Sequence, residues 1–263
     1  MSARLLCVGT HHKTGTVWLR RVLHDIKADQ GLPLMQLHNP RRLRRVEDGR
    51  THLIVNWDSS FPEALFARDD ARVIHMIRDP RDVLLSGARY HVTAPLGREK
   101  FLAVPRDDLG GLTYQEHLAA LPDDTARMIF EMDNKHAETL QQMLDWDYGR
   151  AGGVEWRYED LIADTDCTAF RAALEGFAIA GLDIDRAVES FWTHSLFGGV
   201  ARKGARGQHA AHIRSGQVAQ WRTKMPRAVA ELYAERYGAA LVALGYETDT
   251  SWVDETGKTR EAA

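Results

Sequence analysis

A chain of 263 residues with 44% hydrophobic and 27% charged positions is long enough to bury a large core as one globular domain, which excludes a disordered or fibrous protein. A formal net charge of −3 excludes a surface that coats nucleic acid or an anionic membrane, because both need a strong positive field, so any anion site must be local. Two cysteines, Cys7 and Cys167, cannot make a disulfide framework, and no apolar run is long enough to span a membrane or form a secretory signal core; a cytoplasmic protein is expected.

Residues 4–9 form a short apolar run ending in glycine. A polar loop follows, then Leu19, Val22, Leu23 and Ile26 at helical spacing, so strand, loop and helix are predicted in that order. The segments 52–57 and 72–77 read as buried strands. Asp79 is placed to cap a helix whose first residue, Pro80, has its φ already fixed, and that helix is predicted to run towards Tyr90. Residues 93–121 carry Pro, Gly and charges without a period, and are expected to be loop with short helix that covers a site and sets its specificity. A long helix is predicted over 127–146, with Ile129, His136, Leu140, Met143 and Leu144 on one side. A strand over 153–158 follows a Gly-Gly turn, then helices over 168–180 and 185–196. Residues 198–220 are rich in Gly, Arg, Lys and His and show no period. A last helix through Val229, Leu232, Tyr233, Leu241 and Leu244 stops at Gly245, and the polar segment 249–263 is expected to fray, leaving 1–248 as the domain. Short strands alternating with helices predict an α/β fold: a P-loop-type parallel sheet flanked by helices on both faces, in a single domain, with ligands outside the carboxyl ends of the strands.

Between the first strand and helix stands Thr10-His11-His12-Lys13-Thr14-Gly15-Thr16-Val17-Trp18. Consecutive backbone N–H groups, the positive end of a helix, the charge of Lys13 and the hydroxyls of Thr14 and Thr16 together make a phosphate cradle. The Lys precedes the Gly, unlike in GxxxxGK[ST], and no Ser or Thr follows a Gly-Lys pair to hold magnesium, which disfavours ATP or GTP hydrolysis. Arg78 leaves a strand end and Ser86 lies two helical turns further on, so a guanidinium and a hydroxyl can converge on one phosphate.

The loop resembles the 5′-phosphosulfate loop of the PAPS-dependent sulfotransferase family, TYPKSGTTW (PAPS is 3′-phosphoadenosine 5′-phosphosulfate). Thr10, Lys13, Gly15, Thr16 and Trp18 match, Thr14 replaces Ser, and His11-His12 replace Tyr-Pro. The stretch from Ile77 to Ser86 is similar to the family's RNPKDVAVS element, with the Arg-to-Ser separation kept. The stretch from Arg214 to Arg222 is similar to RKGxxGDWKN, keeping Arg214, Gly216, Trp221 and Arg222 but with Ser215 for Lys, Ala219 for Gly and Gln220 for Asp. Arg202-Lys203-Gly204 reads RKG literally, with His209 where Trp would follow, and is the alternative to Arg214-Ser215-Gly216. Trp156 to Leu161 resembles FYEDL, and Ser195-Leu196-Phe197 resembles TSF.

The resemblance implies in-line transfer of a sulfuryl group from PAPS to an acceptor hydroxyl or amine, releasing PAP, with no metal required. It puts Lys13 on the phosphosulfate and its leaving oxygen, within a cradle of Thr14, Gly15, Thr16 and Val17. It puts Trp18, Tyr158 and Phe197 around adenine, and Arg78, Ser86, Arg214, Ser215 and Gly216 on the 3′-phosphate. The family's base is a His in KTHLP, but the corresponding stretch, Val55 to Pro62, has none. Asp58 is expected as the general base, with His52 and His12 as alternatives. The expected acceptor is a small molecule or a glycan, with no nucleic-acid partner. Of the family's KxxxTVxxxE dimer stretch only Arg222 and Glu231 remain, so no oligomeric state is assigned. Two other readings share these features: an ATP-dependent P-loop kinase or phosphotransferase, and a non-catalytic nucleotide-binding protein on the same fold.

Overall fold

The computed structural model describes residues 2–97, 99–202 and 216–257. The regular elements in the first part of the chain are β1 (Leu5–Gly9), α1 (Thr16–Gln30), β2 (Leu34–Gln36), β3 (His52–Asn56), α2 (Glu63–Phe66), β4 (Ala71–Ile77) and α3 (Pro80–Thr93). Then come α4 (Tyr114–Ala120), α5 (Asp124–Asp133), α6 (Lys135–Leu144), β5 (Gly153–Arg157), α7 (Tyr158–Ala163), α8 (Thr168–Phe177) and α9 (Ile184–His194). The last are α10 (Gly199–Arg202), α11 (Trp221–Lys224) and α12 (Arg227–Ala243), followed by a 3-10 turn at Ser251–Glu255. Two compact units result, Met1–Arg78 with Asp145–Gly216 and Asp79–Leu144 with Gln217–Ala263. No linker composition betrays the division, because the chain crosses it directly after β4 and after α6.

The first unit holds the sheet, five parallel strands in the order β2-β3-β1-β4-β5. β1, β3 and β4 from Val73 onward are continuously buried rather than alternating, as strands covered on both faces must be. Leu6, Val8, Leu53, Val55, Ile74 and Met76 pack on Leu19, Val22 and Leu23 of α1 and on Phe170 and Phe191 of α8 and α9. Leu5, Cys7, Ile54 and Val73 face the other way, onto Leu37, Phe61, Trp146 and Leu65 of α2. Each such fully buried side chain contributes roughly 1.5–3 kcal/mol. From β1 the chain passes through α1 to β2 on one side, and the connection from β3 to β4 crosses to the other, so the strand order reverses at β1, the position where parallel sheets of this kind bind ligands beyond the carboxyl ends. β2 is absent from the sequence reading: three half-exposed residues at a sheet edge are too few to display a period.

The second unit is helical, with Leu84, Leu85 and Ala88 of α3, Met128 and Met132 of α5, and Val229, Tyr233 and Leu241 of α12 in one core. The continuous helix predicted over 127–146 is two helices, α5 and α6. Asn134 breaks it at φ −121 and ψ −110, its Nδ2 donating to Phe130 O at 2.8 Å while its Oδ1 accepts from Arg106. A side-chain amide that bonds nearby backbone competes with the helix ladder, a signal weaker in sequence than Pro or Gly. No helix among the described residues is long and apolar enough to cross a membrane.

The fraying expected from 249 onwards does not hold for the described part of that segment. Trp252 is 2% exposed and its ring meets Trp221 edge-on at 5.4 Å, while Gly257 N donates to Arg222 O at 2.7 Å. One large indole outweighs a polar neighbourhood. Trp252→Ala should therefore cost about 3–5 kcal/mol, seen as a lower urea midpoint.

Candidate active site

At the carboxyl end of β1 the backbone must pass close under another turn. A Cβ on Gly9 would lie 2.7 Å from Ser59 Oγ and 3.0 Å from the Phe61 ring. The chain then folds around one carbonyl: His11 O accepts from Thr14 N at 3.2 Å, Thr14 Oγ1 at 2.9 Å and Thr16 Oγ1 at 3.0 Å. His11 N donates to Thr14 Oγ1 at 2.9 Å, and Ser59 Oγ donates to Thr10 O at 3.1 Å. Lys13 is left-handed at φ 64, and Gly15 at φ 108 has no room for a side chain, since a Cβ would meet Met76 Cε at 2.8 Å. Glycine is thus required at 15 by conformation and by space. Gly15 caps α1, so the loop delivers the chain to a helix N-terminus of fifteen residues.

The expected site residues divide by environment. Thr14 differs from the expectation: it is fully buried and gives both its hydroxyl and its N–H to His11, because the tight turn needs them there. Thr16 and Val17 are half-buried in the first turn of α1. Trp18 is buried, its Nε1 donating to Phe191 O at 3.1 Å, with its ring 4.4 Å from Phe191 and edge-on to the half-buried Phe197 at 6.0 Å. Arg78, at the end of β4, is 6% exposed; its NH1 donates to Lys13 O at 3.4 Å and its guanidinium lies 4.6 Å over the Tyr158 ring. Tyr158 in turn donates its hydroxyl to Gly216 O at 3.1 Å. Lys13, Arg78, Tyr158 and Gly216 are therefore brought together within the first unit. Ser86 is half-buried on α3 of the second unit. Arg214, Ser215, Lys203 and Gly204 lie outside the described residues, and of Arg202 only the backbone, closing α10, is described.

Asp58 sits in an exposed turn organised by the buried Asn56, whose Oδ1 accepts from Asp58 N at 3.0 Å and Ser60 N at 3.1 Å. Its carboxylate is half-exposed, 4.0 Å from His38 Nδ1. His12 is half-buried in the loop. His52 opens β3, at the far end of that strand from the loop, and its Nδ1 is 3.0 Å from Arg50 O.

No protein-family model matches the chain, and no curated protein matches it in sequence. Solved structures do match. Mouse sulfotransferase SULT7A1 complexed with PAP matches with a TM-score of 0.56 at 14% identity, covering 94% of this chain and 91% of its own. Retinol dehydratase in a complex with retinol and PAP matches with a TM-score of 0.52 at 14% identity, covering 92% and 82%. The chain has the sulfotransferase fold.

Within this sulfotransferase fold, one group of residues escapes the sequence reading. Parallel register sets Gly9 beside His75, and His75 beside Glu155, in a row across β1, β4 and β5. His11 Nε2 lies 2.8 Å from His75 Nε2, and His75 Nδ1 lies 2.5 Å from Glu155 Oε2. Trp146 donates Nε1–H to Glu155 Oε1 at 2.7 Å and stacks on the His75 ring at 4.1 Å. Burial depresses His75 to about 3 and raises Glu155 to about 7, the latter opposed by the Trp146 hydrogen bond. The only trace in sequence is a polar residue interrupting each of two apolar strands.

In the unfolded chain Glu155 titrates near 4.5, so between that pH and about 7 the native state holds a proton the unfolded state has lost. This contribution to stability is present at low pH and disappears as pH rises through about 7. Glu155→Gln, which cannot titrate, should gain stability relative to the native sequence on going from about pH 5 to about pH 8, as compared by urea midpoints.

Proposed function

We propose that the chain is a PAPS-dependent sulfotransferase, moving a sulfuryl group from PAPS to an acceptor hydroxyl or amine and releasing PAP. The observation that carries this reading is the meeting of the Lys13 loop with Arg78, Tyr158 and Gly216, beyond the carboxyl ends of β1 and β4. PAPS would supply the activated sulfuryl group. The chain's part is placement and charge: Lys13 neutralises the leaving phosphate oxygen, while the start of α1 orients the phosphosulfate. Arg78, tethered to the loop through Lys13 O, turns to the 3′-phosphate, the role to which resemblance also assigns Ser86, Arg214, Ser215 and Gly216. Trp18, Tyr158 and Phe197 take the adenine side. Asp58 receives the proton of the acceptor, a small molecule or a glycan, and transfer proceeds without a metal. Two buried, unbridged thiols suit a cytoplasmic enzyme.

PAP should raise the melting temperature where ADP and ATP with magnesium do not, and labelled PAPS should pass sulfate to a member of a panel of phenols, sugars, amines, peptides and lipids. Lys13→Ala should weaken PAP binding about tenfold or more, the worth of a charge-assisted contact. Stabilisation by ATP with magnesium and none by PAP would point to the kinase reading instead.

Asp58→Asn should slow transfer by about 10²–10⁴-fold and leave PAP affinity unchanged. Near-normal turnover in that variant would remove Asp58 from the mechanism.

A further inference from the structure

A row of proton-carrying side chains, buried at His11 and His75 and open to solvent at Glu155, ends in the phosphate loop, and no step of the proposed transfer uses it. His11 and His75 are both 0% exposed. Strand register fixes their spacing: His75 and Glu155 are partners on β4 and β5, and His75 is the partner of Gly9, two residues before His11. The hydrogen bonds of 2.8 and 2.5 Å make the row continuous from His11 to Glu155, and Trp146 clamps it by stacking on His75 and donating to Glu155.

Two proton arrangements satisfy this geometry. With Glu155 ionised, His75 donates from Nδ1 to it and accepts from His11 Nε2–H, and the row carries one negative charge. When a proton arrives at His11 Nδ1, the His11 Nε2 proton passes to His75 Nε2 and the His75 Nδ1 proton passes to Glu155 Oε2. The row is then neutral, with both hydrogen bonds reversed in direction. One proton enters, two move along existing hydrogen bonds, and no heavy-atom bond breaks. An anion placed on the loop favours the second arrangement, because it removes a negative charge from beneath that anion.

We propose that Glu155, His75 and His11 form a proton relay that couples occupancy of the loop by a polyanionic nucleotide to uptake of one proton, with His11 as the positioning residue that joins relay to loop. The proposal rests on reading the loop as the PAPS site. The link is physical at both ends of His11: its ring is the last member of the row, and its carbonyl gathers Thr14 and Thr16. Burial supports the arrangement by keeping His75 neutral and bringing the titration of Glu155 to about 7. The surrounding charges come from four directions. On the 145–152 turn, Asp147 raises Glu155, Arg150 lowers it, and Tyr148 meets the His75 ring edge-on at 5.6 Å. Arg150 is itself held by Asp147 and by Glu63 of α2. Arg157 of β5 acts on Tyr148, and His12 and Lys13 follow His11 in the loop.

The test is calorimetric titration of PAP at about pH 8 in phosphate and in Tris, whose ionisation heats differ. At that pH the phosphates of PAP, with second pKa near 6, are already ionised, so proton uptake reports on the protein. The native sequence should take up close to one proton per PAP bound, and its affinity should fall by up to about tenfold per pH unit above neutrality. Glu155→Gln should bind PAP with no uptake and a flat pH profile. His11→Asn, which leaves the Glu155 and His75 pair in place, should do the same and serves if Glu155→Gln does not fold. PAP binding without buffer-dependent heat, or uptake persisting in both variants, would overturn the relay and leave the PAPS site standing. Failure of PAP to bind the native sequence would overturn both.

Discussion

The carbonyl oxygen of His11 accepts three hydrogen bonds, and the course of the loop follows from that one atom. To reach it, Thr14 must turn back within three residues, which forces Lys13 into the left-handed region and leaves Gly15 against Met76 and Tyr158. The hydroxyls of Thr14 and Thr16 both donate to that carbonyl and so help to build the loop. The loop combines the half-buried Lys13 with the start of α1, a local positive feature on a chain whose net charge is −3. Strain at Lys13, of order 1–3 kcal/mol for a non-glycine residue there, is maintained by the threonine bonds around it.

The carbonyl is in turn fixed by the sheet. Asn56 and Gly9, at the carboxyl ends of β3 and β1, are register neighbours of each other and, through Gly9, of His75 in β4 and Glu155 in β5. Each contributes a different restraint: Asn56 ties the following turn, Gly9 permits Ser59 to approach, and His75 holds the His11 ring. The part of the row formed by Asn56, Gly9 and His75 lies on strands covered on both faces, where packing excludes water and an unsatisfied polar group would be costly, while Glu155 on the edge strand β5 is open to solvent.

Contiguity decided what could be read in the sequence. The loop is legible because its Lys, Gly and hydroxyls lie within nine consecutive residues, and four of the five strands because each carries a short apolar run, interrupted in β4 and β5 by a single polar residue. β2 offers three residues and no period, while the break at Asn134 depends on which neighbour an amide side chain chooses. Trp252 stands in a polar stretch of sequence, and its ring partners Trp221 and Tyr233 meet it only in space. His75 and Glu155 stand 80 residues apart and meet only through strand register, which no local pattern encodes.

Some of the resemblance turns out to be packing. Asp79 caps α3 by accepting from Arg81 N and also takes two bonds from the Arg81 guanidinium, at 3.0 and 2.8 Å. That guanidinium pairs with Glu247 at 2.5 Å and lies 3.7 Å over Trp221 and 4.7 Å over Trp252, while Asp82 accepts from Trp221 N at 3.0 Å. A buried arginine is tolerable only when partnered in this way, so the residues that open α3 also fix where the chain lies at Trp221. The similarity at Asp79 to Asp82 and the similarity at Trp221 are therefore one structural feature of the second unit, not two independent signs of a nucleotide. Arg78, at the end of β4, donates to Lys13 O and lies over the Tyr158 ring within the first unit. Of that element, the strand-end arginine is the residue whose contacts run to the phosphate loop, and for that reason the proposed phosphate role is placed on it.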